Sequence, residues 1–181
     1  FIIAQFKNIP SLYIADGHHR AASAVKVGLR RREQNPNYTG DEEFNFFLSV
    51  IFPSDELRIL DYNRVIKDLN GLSDEEFLLE LRRKFDIEKH GKNEYRPKRA
   101  HSFGMYMSGE WYALFAKSEI TKSLDAVKSL DVSILQDNVI SPILGIDDPR
   151  TDKRIDFVGG IRGLSELSRR VDSGEEKLAF S

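Results

Sequence analysis

Hydrophobic and polar positions along this chain fall into blocks of different period. Ser11 to Ala15 is a short apolar run and reads as a strand. The stretch after it, through about Gln34, places Ala21, Ala24, Val25, Gly28 and Leu29 at the i, i+3, i+4, i+7, i+8 spacing of a helix with one buried stripe. Asp16 is expected as its N-cap with Gly17 in the first turn, and Arg30, Arg31 and Arg32 suit its C-terminal end. After a polar loop from Asn35 to Glu43, the run FNFFLSVIF (Phe44 to Phe52) is too continuously apolar for an edge. It predicts a central strand buried on both faces and ended by Pro53.

Further along, Leu57 to Ile66 predicts an extended segment, and Ser73 with Glu76 three residues on forms a capping box for a helix through about Lys84. Phe77, Leu78, Leu81 and Phe85 would form its apolar face. HSFGMYMSGEWYALFA (101 to 116) reads as a hairpin turning at Ser108 and Gly109, with Trp111 anchoring the packing. A helix is expected from about Val132 to Ser141, stopped by Pro142, then a charged loop from Asp147 to Arg154 and a strand from Ile155 to Val158. A last helix from Gly163 to Val171 carries Leu164, Leu167 and Val171 on one side, and KLAFS (177 to 181) reads as the beginning of a strand.

Composition narrows the class. With 181 residues, 40% of them hydrophobic, the chain can bury the core of a single α/β domain spanning 1–181. It opens on Phe1 and an apolar segment, as a fragment of a longer chain would. Twenty-seven basic residues against 29 acidic leave a net charge of -2, so neither nucleic acid nor a membrane is an expected partner. The absence of cysteine excludes disulfides, thiolate catalysis and cysteine-bound metals; a cytoplasmic protein is expected. Oligomeric state is not legible.

The stretch IADGHHRAASA (14 to 24) carries the most pointed chemistry. A helix start exposes unpaired backbone N–H groups and a partial positive charge, and glycine at the turn lets a phosphate come close. His18, His19 and Arg20 would add donors, the Arg20 fork matching two phosphate oxygens. Asp16 argues the other way, because its carboxylate could occupy the same N–H groups, orient a histidine, or hold Mg²⁺ through water. On residue chemistry alone the turn is either a phosphate site or an Asp-capped helix start. No metal site is assigned: His18 and His19 diverge by about 100 degrees on a helix and lack a third ligand.

Other stretches have a ligand reading and a plainer one. VGGIRG (158 to 163) could bind an anion with Arg162 or merely link strand to helix. Arg150, Lys153 and Arg154 in DDPRTDKR could close over a ligand, with Asp147, Asp148 or Asp152 on magnesium, or stay solvated. His90 and His101 fit structural or exposed positions. Arg96, Lys98 and Arg99 beside Tyr95 could touch nucleic acid but are offset by Glu88 and Glu94. Tyr62, Asn63 and Arg64 stand at the end of an expected strand, a usual place for ligand residues, although packing explains them too.

YIADGHHRAA (13 to 22), HSFGMYMSGEWYAL (101 to 114) and LDVSILQDNVISPILGIDDPRTDKRIDFVGG (130 to 160) resemble the bacterial and archaeal family catalogued as domain of unknown function 1015. The DGHHR core is also similar to the phosphate-gripping motif of the ParB and sulfiredoxin superfamily, whose serine-kinase branch phosphorylates free serine from ADP or ATP. That resemblance implies a mixed α+β fold with a strand-turn-helix core, a mixed sheet and a hairpin. By carry-over, Gly17, His19 and Arg20 would hold nucleotide phosphates, with His18 joining them. Asp16 and His18 become the candidate catalytic residues of a small-molecule kinase using ADP or ATP with Mg²⁺. A non-catalytic nucleotide-sensing or regulatory module is the alternative. Sulfiredoxin's own reaction is ruled out by the missing cysteine, and the serine kinases take their acidic base from upstream of the motif.

Overall fold

A computed structural model describes residues 1–122 and 125–181. They divide into two units, Phe1–Leu57 and Arg58–Ser181.

The second unit is built on a six-stranded sheet: β1 (Tyr62–Ile66), β2 (Phe85–Gly91), β3 (Ser102–Met107), β4 (Glu110–Ala116), β5 (Ile155–Gly159) and β6 (Leu178–Phe180). Their spatial order is β2-β4-β3-β6-β1-β5. The expected α+β class holds, but the expected mixed sheet is antiparallel at every described pairing. The mixed sheet was implied by the family resemblance; here the helices carry the chain between strands that are not neighbours, and every ladder between neighbours runs antiparallel. Ser108 (φ 52°) and Gly109 (φ 81°) both take positive φ, the conformation a tight hairpin turn demands, and so set the register of β3 on β4.

Antiparallel registry divides the side chains between two faces. Ile66, Leu178, Phe180, Met105, Met107 and Leu114 pack with Phe77 and Leu81 of α3 (Asp74–Arg82), the helix between β1 and β2. Farther along, Ile134 and Leu135 of α5 (Asp131–Leu135) join the same cluster. On the opposite face Val65, Ala179, Tyr106 and Trp111 meet Leu164 and also Leu167 of α6 (Ser165–Asp172). Covered on both sides and paired on both edges, all six β3 residues are buried.

Local signals account for the helix ends. Ser73 accepts from the Glu76 N–H, and the Glu76 carboxylate accepts from the Ser73 N–H at 2.8 Å, so the capping box forms as expected. The helix expected from Val132 onward runs as α5 and then one π turn, Gln136–Ile140, just ahead of Pro142. Phe85, expected on a helix face, instead opens β2 and is buried there. The hairpin, the strand at Ile155, the helix through Leu167 and the strand within KLAFS all appear where the pattern put them.

In the first unit lie α1 (Ile2–Phe6), α2 (His18–Gln34) and two short 3₁₀ turns, Glu43–Asn45 and Ser54–Glu56. The strand expected over Ser11 to Ala15 is irregular backbone. Phe44 to Phe52 is not the expected buried central strand: after the turn at Glu43–Asn45 the chain stays unpaired, with Phe46, Phe47, Leu48 and Val50 exposed. Continuous apolarity marks a segment that gains from cover, but it does not supply a pairing strand. Of the predicted α2 stripe only Gly28 is buried, while Val25 and Leu29 are 54% and 53% exposed. An added Cβ at Gly28 would lie 2.9 Å from the Phe44 carbonyl oxygen, so glycine permits the close crossing. Glu42 fastens the loop before it, accepting from the Thr39 and Gly40 N–H groups and from Asn45; the backbone N–H bonds, that of Thr39 foremost, pull its carboxyl down to about 2.

Candidate functional site

The DGHHR turn starts α2, and its cap is Gly17, not Asp16. Gly17 takes φ 78°, the left-handed region that costs glycine little, and its carbonyl accepts the first helical bond from Ala21 at 2.9 Å. No side chain caps this end. The expected Asp16 cap fails because Asp16 turns toward Arg20, whose Nη2 donates to it at 3.2 Å. One helical turn separates the pair, both side chains are more than four-fifths exposed, and such an ion pair is held weakly.

This conformation bears on anion binding. With no side chain on the first N–H groups of α2, their partial positive charge is free to meet a phosphate. Arg20 lies directly over the glycine: a Cβ at Gly17 would approach its Nη2 and Nε to 3.0 and 3.1 Å. Gly17, His18, His19 and Arg20 thus stand together at one helix start, with the histidines and the arginine exposed. Among the described residues no three His, Asp or Glu side chains gather as a metal site.

Other candidates are mostly absorbed by structure. In DDPRTDKR, Arg150 grips Asp148 through Nε at 2.9 Å and Nη2 at 3.0 Å. Arg154 bonds Asp152 and the carbonyls of Leu144 and Gly145, pinning the loop and not waiting for a ligand. Arg162 sits on a 3₁₀ turn 3.9 Å from Glu166, while the preceding Gly160 packs its N–H on the Asp61 carbonyl at 2.7 Å. Arg96 pairs with Asp61, Arg99 covers the Phe115 ring, and the His90 ring meets that of Tyr95. His101 takes φ 61°, and its backbone N–H donates to Asp131.

Two features of the second unit had no sequence signal beyond polar residues near strand ends. Asn63 is 2% exposed, and the nitrogen and oxygen of its side-chain amide lack a hydrogen-bond partner among the described residues. A cleft of about 420 Å³ is lined by Lys92, Glu94, Tyr106, Trp111, Ser168 and Asp172, residues from four separate segments.

No helix among the described residues is long and apolar enough to cross a membrane. Neither a curated protein nor a solved structure matches the chain. A family model described as "Protein of unknown function (DUF1015)" matches residues 1–133, covering the DGHHR turn and the strands through β4. The chain belongs to the DUF1015 family.

Proposed function

We propose that the DGHHR turn is the phosphate-binding element of a nucleotide-dependent small-molecule kinase, which takes ADP or ATP and phosphorylates a hydroxyl such as that of free serine. The observation that carries this reading is the helix start itself: a left-handed Gly17 cap, no side chain on the first N–H groups, and the Arg20 guanidinium folded over the glycine. Phosphate oxygens accept from those N–H groups and draw Arg20 away from Asp16, an exchange that an exposed ion pair resists little. His19 and His18 add donors at the rim. Mg²⁺, carried in on the nucleotide, supplies neutralisation of the phosphate charge when bound. Asp16, once released by Arg20, is left to orient the acceptor hydroxyl or a water on that cation.

A non-catalytic nucleotide-sensing module is the second reading. It is favoured by the engagement of Asp16 with Arg20, which occupies the carboxylate within the turn.

Calorimetric titration with ADP and ATP, with and without magnesium, tests the shared step. Saturable binding that Arg20→Ala weakens by about 2 kcal/mol is expected, the loss of a charge-assisted forked contact. A folded Arg20→Ala protein that binds as tightly as wild type overturns the clamp. Phosphotransfer to serine separates the kinase from the sensor.

A further inference from the structure

Arg64 is a half-buried guanidinium with no carboxylate partner among the described residues. It projects from β1 in register between Phe157 of β5 and Phe180 of β6, and therefore shares a sheet face with both. Its Nε is buried and has no hydrogen-bond partner among the described residues. Its one hydrogen bond among the described residues is a long one, from Nη1 to the Tyr62 carbonyl at 3.5 Å. Removal from water without a counter-charge depresses its pKa. Other loop and helix arginines of this unit, such as Arg150, Arg154 and Arg170, are tied to carboxylates. A cation kept partly dry and unpaired costs stability, and an anionic ligand removes that cost.

The surroundings say which anion. Two residues before Arg64 on the same face, Tyr62 stacks on Phe157 with ring centroids 5.0 Å apart and planes 11° from parallel, and Tyr62 is 62% exposed. The Arg64 guanidinium carbon lies 5.6 Å from the centre of the same Phe157 ring. An exposed aromatic stack thus adjoins a guanidinium with no carboxylate partner among the described residues. We propose that Tyr62, Arg64 and Phe157 form a binding site for an aryl phosphate: a planar ring stacked on Tyr62, with its phosphate on the Arg64 Nη groups. This inference is independent of the nucleotide reading of the DGHHR turn.

The full chain is titrated with phenyl phosphate and with inorganic phosphate, alongside Arg64→Met, Tyr62→Ala and Arg20→Ala. Phenyl phosphate is expected to bind wild type at least about tenfold more tightly than inorganic phosphate. Tyr62→Ala should erase that preference, and Arg64→Met should cut phenyl phosphate affinity by about tenfold or more. Without ligand, Arg64→Met should melt no lower than wild type, because methionine fills similar space without a charge. In an Arg20→Ala background, which removes the clamp proposed for the DGHHR turn, the preference for phenyl phosphate should persist and still be erased by Tyr62→Ala, which keeps the outcome distinct from that of the turn. The proposal is overturned by absent wild-type binding at millimolar phenyl phosphate, by unchanged affinity in either site variant, or by a lowered melting temperature in Arg64→Met.

Discussion

Tyr106 donates its hydroxyl to both carboxylate oxygens of Asp172, at 2.9 and 3.0 Å, and so ties the centre of β3 to the last residue of α6. The tyrosine ring is buried against Trp111, with centroids 5.2 Å apart. Burial and the adjacent carboxylate push its phenol up to about 12. A group whose folded pKa is raised contributes stability that is complete below its ordinary value, here 10.0, and is lost as pH rises through about 12. Tyr106→Phe should therefore cost about 1.5 kcal/mol at neutral pH. The gap between the two proteins should narrow between pH 10 and 12, as urea melts across that range would show.

At the acid end the sign reverses. Glu166 accepts from Arg169 and Arg170, and those bonds hold its carboxyl down to about 2 against an ordinary 4.5. Its contribution is complete above 4.5 and lost as pH falls toward 2. Thermal melts of wild type and Glu166→Gln should differ at pH 6 and converge near pH 2.

Glu176 runs against its neighbour's logic. It is 8% exposed, one carboxylate oxygen has no partner among the described residues, and burial raises its pKa despite Lys67 and Arg170. Its charged form is therefore a burden at neutral pH, with stability present below 4.5 and lost as pH rises through the folded value. Glu176→Gln should raise Tm by about 3 °C at pH 7 and by little at pH 4. A lower Tm at pH 7 would show that the carboxylate is needed as a charge.

Gly104 exchanges two backbone hydrogen bonds with Ser181, and the Tyr95 carbonyl lies over it, 2.6 Å from where a Cβ would stand. Gly104→Ala should cost about 2 kcal/mol through displacement of that carbonyl. Chemical denaturation would register it as a lower midpoint with an unchanged slope.

Much of the second unit was legible because its signals are local. Ser73 and Glu76 complete a cap within one turn, and Ser108 with Gly109 supplies the φ values of a hairpin. β2 was not, since FDIEKHG is a polar edge strand whose ladder partner, β4, comes only later in the chain, after β3. FNFFLSVIF misled for the opposite reason, because its apolarity recorded a need for cover and not a place in a ladder. At the candidate site the residues were legible but their division of labour was not. Asp16 and Gly17 compete for one capping position, and the winner depends on whether Asp16 finds Arg20. Asn63 and Arg64 could be marked in sequence as polar residues at a strand end, but only the structure shows buried polar atoms there with no partner among the described residues.

The placement of β6 also bears on when the sheet can exist. Leu178–Phe180 comes after the other five strands in the chain, yet it is the piece between β3 and β1. Until those three residues arrive, β2-β4-β3 and β1-β5 share no ladder, whatever each has formed alone. During synthesis both sets of strand edges stay open to other chains, and the last strand made acts as the latch that withdraws them.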